Sequence, residues 1–298
     1  MIQCQLCGGN NFKTNPFYYL WNNKEFPLVK CSSCGLITLN PKPNAEELEK
    51  LYSEDYFDTG AHGLNQHEGN YETARDKKTI DERKEYLQEN ILKYNKDISS
   101  LFEIGYAMGH LLFAAQQQGL KVNGVEFSEF AAKRANDKFN LNLMNGDFEK
   151  MDLSSHENKW DCVFGGDVFE HFANPDIVAQ RIYKMLSSNG ICVLIIPSTY
   201  NLFSTKLAVI LYKLLGKRKK LYDNPYHLYE YTTSTISKIL LKHFSKVEVI
   251  NKIKKPSELN MKNKSLEYRL KYLIHLINYP YTRLFNRNGD RLLVIAYK

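Results

Sequence analysis

The sequence predicts an α/β protein: a mostly parallel sheet covered by helices, preceded by a small metal-binding module. Three observations carry this. From Ser99 to Pro197, strand-like apolar runs alternate with helical stretches, which is the pattern of βαβ units. Two Cys-x-x-Cys pairs, Cys4/Cys7 and Cys31/Cys34, stand at the N-terminus with 23 residues between them. No apolar run in the 298 residues approaches the roughly 18 that a membrane-crossing helix needs.

The cysteine pairs come first. Each knuckle presents two sulfurs from a tight turn, and Gly8 and Gly35 follow where such turns want a residue tolerant of φ > 0. Two knuckles at this separation can close one tetrahedral four-thiolate site. The runs FYYLW and FPLVK between them suit short strands, so residues 1–40 are expected to form a zinc ribbon. All four ligand positions are protein sulfurs, which makes the zinc structural and puts the chemistry elsewhere. Cys162 and Cys192 lie in apolar runs and suit small buried hydrophobes, so cysteine usage points to a reducing compartment. Met1 is followed at once by the first knuckle, so no signal peptide is expected.

Residues 41–78 are expected to be linker and lid. Pro41 and Pro43 stiffen the link, and Asn44 with Glu47 is a capping-box pair. The Gly-, His- and Asn-rich stretch 58–71 suits a loop, with Tyr56 a candidate to close over a pocket or simply to pack. A polar helix follows over about 79–94.

Residues 79–298 hold the sheet. SSLFEIG, KVNGVEF, NLNLMNGD, WDCVFGGD and GICVLIIP are strands. The helices between them are GHLLFAAQQQG, SEFAAKRANDKF capped by Ser128, and PDIVAQRIYKMLSSNG with Pro175 at its start and Gly190 past its end. SKVEVI and RLLVIAYK complete seven strands as an antiparallel pair. Helical insertions are expected at about 200–220 and 256–286.

Ligands bind such sheets at the carboxyl ends of the strands. The first turn, running from Glu103 through Gly105 and Ala107 to Gly109, lets backbone approach a ligand at a helix N-terminus. It lacks the G-x-G-x-x-G spacing of dinucleotide sites and the lysine of a P-loop. Glu126 ends the second strand 21 residues after Gly105, and Asp147 ends the third 21 residues later. One carboxylate can chelate the two hydroxyls of a ribose, and the next can accept from an adenine amino group.

FEIGYAMGHLL, VEFSEFAAKRA, NGDFE and FGGDVFEHFANPDIVAQRIYKMLSSNGICVLIIPS resemble the successive motifs of class I S-adenosylmethionine-dependent methyltransferases, over about residues 80–250. With the ribbon and its NPKP tail, the chain looks like the zinc-ribbon methyltransferases associated with sugar and polysaccharide tailoring. The resemblance implies a Rossmann-like fold with S-adenosylmethionine as cofactor. It assigns Gly105 and Gly109 to the methionine end, Glu126 to the ribose, and Asp147 and Phe148 to the adenine, with Glu103 and Phe127 as further cofactor-binding positions. Asp167 would face the reactive end. The chain departs from the family's E/D-x-G-x-G-x-G at Ala107, where a side chain forbids easy φ > 0.

An oxygen nucleophile benefits from a general base, and imidazole is the side chain whose ordinary pKa suits that near pH 7. His227, in NPYHLYEYT, and His171, after Glu170, are the two candidates, with plain packing as the alternative for each. The N-P-P-Y/F motif of methyltransferases acting on exocyclic base amines is missing after strand four. From Asn201 onward there are 20 Lys+Arg against 6 Asp+Glu, whereas the first 200 residues carry 20 against 27. A basic C-terminal third suits an acidic partner: a phosphorylated or nucleotide- or lipid-linked sugar, or a lipid head-group surface. The expectation is thus O-methylation of a small glycosyl substrate, in the cytoplasm or peripheral to the inner membrane face. The rivals are a ribosomal RNA methyltransferase and an inactive S-adenosylmethionine-binding protein, with nucleic acid the less favoured partner.

Overall fold

The computed structural model describes residues 3–51, 77–221, 224–259 and 265–298. The proposed lid at 58–71 and Tyr56 lie outside the described residues.

The N-terminal module is an antiparallel meander of β1 (Phe12–Trp21), β2 (Lys24–Cys31) and β3 (Ile37–Leu39). Asn22 and Asn23 form the hairpin turn with φ of 48° and 59°, the positive values that a two-residue hairpin matched to strand twist requires. Helix α1 (Ala45–Leu51) starts with the expected capping box: Asn44 N donates to Glu47 Oε2 at 2.8 Å and Glu47 N to Asn44 Oδ1 at 2.9 Å.

Helix α2 (Lys77–Asn90) leads into the main sheet. Its strands are β4 (Ser100–Ile104), β5 (Lys121–Glu126), β6 (Met144–Asn145), β7 (Trp160–Gly166) and β8 (Leu186–Pro197). Between them run α3 (His110–Gln117), α4 (Glu129–Phe139) and α5 (Pro175–Met185), and α6 (Phe203–Leu214), α7 (Thr233–Leu240) and α8 (Leu266–Phe285) follow β8. Two short strands, β9 (Lys219–Lys220) and β10 (Tyr229–Glu230), come after β8, and β11 (Lys246–Lys252) and β12 (Arg291–Tyr297) close the sheet. The order is β11-β12-β8-β7-β4-β5-β6, parallel from β8 to β6 and antiparallel at β8-β12 and β12-β11. This is the seven-stranded Rossmann-like sheet that the sequence predicts. The chain runs outward from β4 through β5 to β6, then returns to β7 on the other side of β4. A crevice therefore opens at the carboxyl ends there.

Both faces of the sheet are buried. In β8, Cys192, Leu194 and Ile196 join one core cluster, while Ile191, Val193 and Ile195 join the other. That alternation inside a continuous apolar run is what a doubly covered strand demands.

Two boundaries differ from the sequence expectation. The helix at Pro175 ends at Met185 rather than near Gly190. Leu186 already pairs with Trp160 and is fully buried, and an apolar Met-Leu step suits helix and strand patterns alike. The third strand shrinks to Met144–Asn145 because only these residues pair with β5.

The N-terminal module does not stand apart. Its sheet has the order β10-β3-β2-β1-β9, so its two edges are strands borrowed from the segment after β8. Phe26, Leu28, Leu36 and Leu39 are at most 1% exposed and belong to the same core cluster as Tyr229, Tyr231 and Phe169. Burying four such side chains contributes roughly 6–12 kcal/mol as an upper bound. Thr38 Oγ1 donates to the Leu228 carbonyl at 2.9 Å, and Lys42 Nζ to the Ala173 carbonyl at 3.2 Å.

Candidate functional site

Gly105, Glu126, Asp147 and Asp167 follow or end β4, β5, β6 and β7, so all four lie at one edge of the sheet. Gly105 and Gly109 adopt φ of 69° and 73°. A Cβ on Gly105 would come within 3.0 Å of Val168, in the loop after β7. The glycine loop and the strand-seven loop are therefore in contact. Ala107 stands at φ 49°, in the left-handed region that its methyl disfavours. Replacing Ala107 by glycine is expected to raise stability by about 0.5–1 kcal/mol, the relieved strain less the added chain entropy. Denaturant melts of the two proteins measure it, and a destabilised variant would show that the loop bears no strain there.

Glu126 holds this loop in place. Its Oε2 accepts from Ala107 N and its Oε1 from Ser128 N, both at 2.9 Å. Burial raises its pKa, and those backbone N–H groups oppose the rise. A carboxylate has about four acceptor sites, so each oxygen keeps capacity for a ligand hydroxyl. Glu103 is buried, and Oε2 has no hydrogen-bond partner. Burial, helped by the nearby Glu126 charge and opposed by Arg83, pushes its carboxyl up to about 8. At pH 7 it therefore stands mostly neutral, able to donate a hydrogen bond. Glycine-loop backbone, an anchored carboxylate with spare lone pairs and an orphaned buried carboxyl fit a polar ligand with vicinal hydroxyls and an amino-acid tail.

The remaining cofactor candidates divide. Phe127 is 51% exposed. Phe148 is buried against Phe172 with the Arg181 guanidinium 5.8 Å from its ring centroid, so its ring belongs to the core and only its backbone could face a ligand. Asp147 accepts from Glu149 N at 2.9 Å and pairs with Lys150 at 2.8 Å, the latter on the surface. Asp167, at φ 53°, pairs with Arg291 of β12 at 2.7 Å.

The two histidines come together. Their ring centroids are 5.0 Å apart and nearly perpendicular. Between them lies Glu170, fully buried, with Oε1 3.6 Å from His171 Nε2 and 3.8 Å from His227 Nε2. His171 Nδ1–H donates to the Tyr226 carbonyl at 3.0 Å, the assignment that a carbonyl acceptor dictates. On the far side of His227, Nδ1 is 3.9 Å from Glu230 Oε1. Burial opposes a charge on His227, but the Glu230 contact and the Glu170, Glu230 and Asp167 carboxylates outweigh it and push the imidazole up to about 9. Burial likewise opposes ionisation of Glu170, yet the two imidazoles hold its carboxyl below the usual range. The expectation of a base with an ordinary imidazole pKa is therefore corrected: at pH 7 His227 is an imidazolium between two carboxylates. Glu170, His171 and His227 bring donor atoms within 4.8 Å of one another, as cation ligands do, and here the imidazolium supplies the positive charge.

Glu170, Glu230 and Arg291 are the members that sequence reasoning missed. Glu170 adjoins His171, and Glu230 lies three residues after His227, so both carried a local signal. Arg291, 124 residues from Asp167, carried none. Tyr19 of the N-terminal module reaches the same cluster, its hydroxyl donating to Glu230 Oε1 at 3.4 Å.

At the other end of the module, Cys4, Cys7, Cys31 and Cys34 bring their sulfurs within 4.8 Å of one another. Cys4 and Cys34 sulfurs are 3.5 Å apart, and those of Cys7 and Cys31 3.6 Å. Sulfurs at the zinc–thiolate bond length around a tetrahedral ion would stand about 3.8 Å apart. Backbone N–H groups of Leu6 and Cys7 donate to Cys4, and those of Ser33 and Cys34 to Cys31. The donor set and spacing fit a structural zinc.

A family model described as a methyltransferase domain matches residues 72–242, more than half of the chain. Among solved structures, a SAM-dependent methyltransferase from Archaeoglobus fulgidus matches with a TM-score of 0.50 and 20% identity, covering 74% of this chain and 94% of that one. A Thermotoga maritima SAM-dependent methyltransferase, described as a possible histamine N-methyltransferase, matches at 0.48 and 16%, covering 76% and 94%. A Haemonchus contortus phosphoethanolamine N-methyltransferase, bound to phosphomonomethylethanolamine and S-adenosylhomocysteine, matches at 0.48 and 14%, covering 76% and 58%. At these identities the likeness is one of fold. No curated protein sequence matches the chain significantly.

Proposed function

The chain belongs to the methyltransferase-domain family, and from that premise we propose that it transfers a methyl group from S-adenosylmethionine to a hydroxyl of a small phosphorylated or lipid-linked glycosyl substrate. The observation that carries the reading is the convergence, at one sheet edge, of the glycine loop anchored by Glu126 and the His227 cluster. The cofactor supplies an electrophilic methyl on a sulfonium. Glu126 would accept from its ribose hydroxyls, the Gly105–Gly109 backbone and Glu103 would hold its amino-acid end, and Asp147 would meet its adenine, with Phe127 next to Glu126 in the chain.

Methyl transfer then needs an oxygen held in line, about 3 Å from the methyl, in a site closed to water. A sugar hydroxyl suits this cluster, where Asp167, Glu170 and Glu230 surround His227 with acceptors. His227, once it has lost its own proton, takes the hydroxyl proton at a ring nitrogen. Glu170 and Glu230 stabilise the imidazolium that forms. A structural zinc on Cys4, Cys7, Cys31 and Cys34 completes the proposal.

Glu126→Ala removes the ribose acceptor and is expected to cost about 1–3 kcal/mol of cofactor affinity. It also strips Ala107 N and Ser128 N of their acceptor, so some stability goes with it. Calorimetric titration with S-adenosylhomocysteine measures the first effect. Unchanged affinity in a folded Glu126→Ala protein would put the cofactor elsewhere. Mass spectrometry of nucleotide and lipid-linked sugars from cells with and without the protein should show a species differing by one CH₂. Finding that difference only in RNA would overturn the glycosyl assignment.

A further inference from the structure

Helix α6 (Phe203–Leu214) and helix α8 (Leu266–Phe285) lie antiparallel, side by side. At one end the rings of Phe203 and Tyr281 are 5.0 Å apart, and Phe203 N donates to Asn278 Oδ1 at 3.1 Å. At the other, Lys219 pairs with Glu267. Each helix has one face turned inward: Ala208, Val209 and Tyr212 of α6 pack on the core, and Asn278 and Thr282 of α8 are buried. Their outer faces carry Leu207, Leu211 and Leu214, and Leu270, Leu273 and Ile277, each between 44% and 79% exposed. The spacings are helical, so each set forms a stripe. Two exposed apolar stripes on neighbouring helices exceed the scattered surface hydrophobes of a monomer and mark a contact.

Its rim is strongly basic. Residues 203–220 carry six Lys+Arg and no acid, and residues 265–287 carry four against the single Glu267, which is already held by Lys219 and Lys271. Arg218 is likewise held by Glu25. The charge that remains decides the occupant. Two copies meeting face to face would still set one net-positive face against another, whereas anionic lipid head groups would neutralise both. Apolar stripes rimmed by lysine and arginine are the composition of helices that lie in a membrane interface. Among the described residues no helix is long and apolar enough to cross one.

We infer that α6 and α8 form a docking face for an anionic lipid surface, the leucine stripes entering the interface and the flanking cations binding its head groups. The inference is independent of the methyltransfer reading, since it rests on none of the glycine-loop or His227-cluster residues. The test is sedimentation of the full chain with phosphatidylcholine vesicles, with and without phosphatidylglycerol. Binding is expected only with the anionic lipid and should fall as salt is raised. Lys213→Gln with Lys217→Gln should lower partitioning about tenfold or more, and Leu211→Asp with Leu273→Asp should abolish it. All four positions are exposed, so unchanged thermal melts are expected and certify the variants as folded. Equal binding to neutral vesicles, or none to anionic ones, overturns the inference. So does a lipid-free dimer that the leucine variants dissociate, because the face would then belong to a second copy.

Discussion

His227→Ala lowers the methyl-transfer rate by roughly 10²–10⁴ and leaves cofactor affinity nearly intact. This is the first of the two largest effects expected. Because two buried carboxylates push the His227 imidazole up to about 9, the wild-type rate should rise with pH through that region, not near the ordinary 6.5. The variant should lose that limb. Glu170→Gln and Glu230→Gln should each move the limb to lower pH, since each deletes a charge that favours the imidazolium. A merely structural role for these acids would lower the melting temperature without moving the profile. The raised pKa has a stability consequence of defined sign. His227 stabilises the fold fully below its unfolded pKa of about 6.5, and this contribution is lost as pH rises through about 9. Its ceiling is on the order of 3 kcal/mol, less what solvent screens at a partly exposed ring. Melts of wild type and His227→Ala, compared across that window, measure it. Convergence of the two toward high pH is expected, and a pH-independent gap would sink the charge argument.

The second is removal of the zinc proposed for the Cys4, Cys7, Cys31 and Cys34 cluster. A four-thiolate structural zinc binds with an apparent free energy of about 10–16 kcal/mol at pH 7, so chelation, or Cys31→Ser, should unravel the knuckles. The effect should not stop there. β3 pairs with Tyr229–Glu230, and Leu39 N donates to the Leu228 carbonyl at 3.1 Å. These residues flank His227, and Tyr19 of the module donates to Glu230. Metal loss should therefore lower activity together with amide protection in 12–39 and 228–230, while β4 to β8 stay protected. Two outcomes would count against this. A purified chain with no metal and four titratable thiols would remove the ribbon. A metal-free chain with full activity would remove the link from module to His227.

That link answers why a small cysteine module precedes a large sheet domain: it supplies the sheet edge on which the His227 segment is laid down. Nothing local announces it. Thr38 and Leu228 are 190 residues apart, and the strands that the module borrows are two residues long, too short for any period to register.

By itself the sequence determined what depends on short-range order. The alternation from Ser99 to Pro197 implied the parallel sheet, because strand and helix periods repeat within a few residues. The knuckle spacing implied one cysteine cluster, because each pair sits on a single turn. The Gly105–Gly109 loop and Glu126 were legible from their places at strand ends. Tertiary structure alone decided the rest. It buried the Phe148 ring, paired Asp167 with Arg291, and set His227 between Glu170 and Glu230. The physical reason is that a charge state follows from the carboxylates and solvent within a few ångströms. Those neighbours arrive from strands and loops far apart in the chain, so no spacing along the sequence records them.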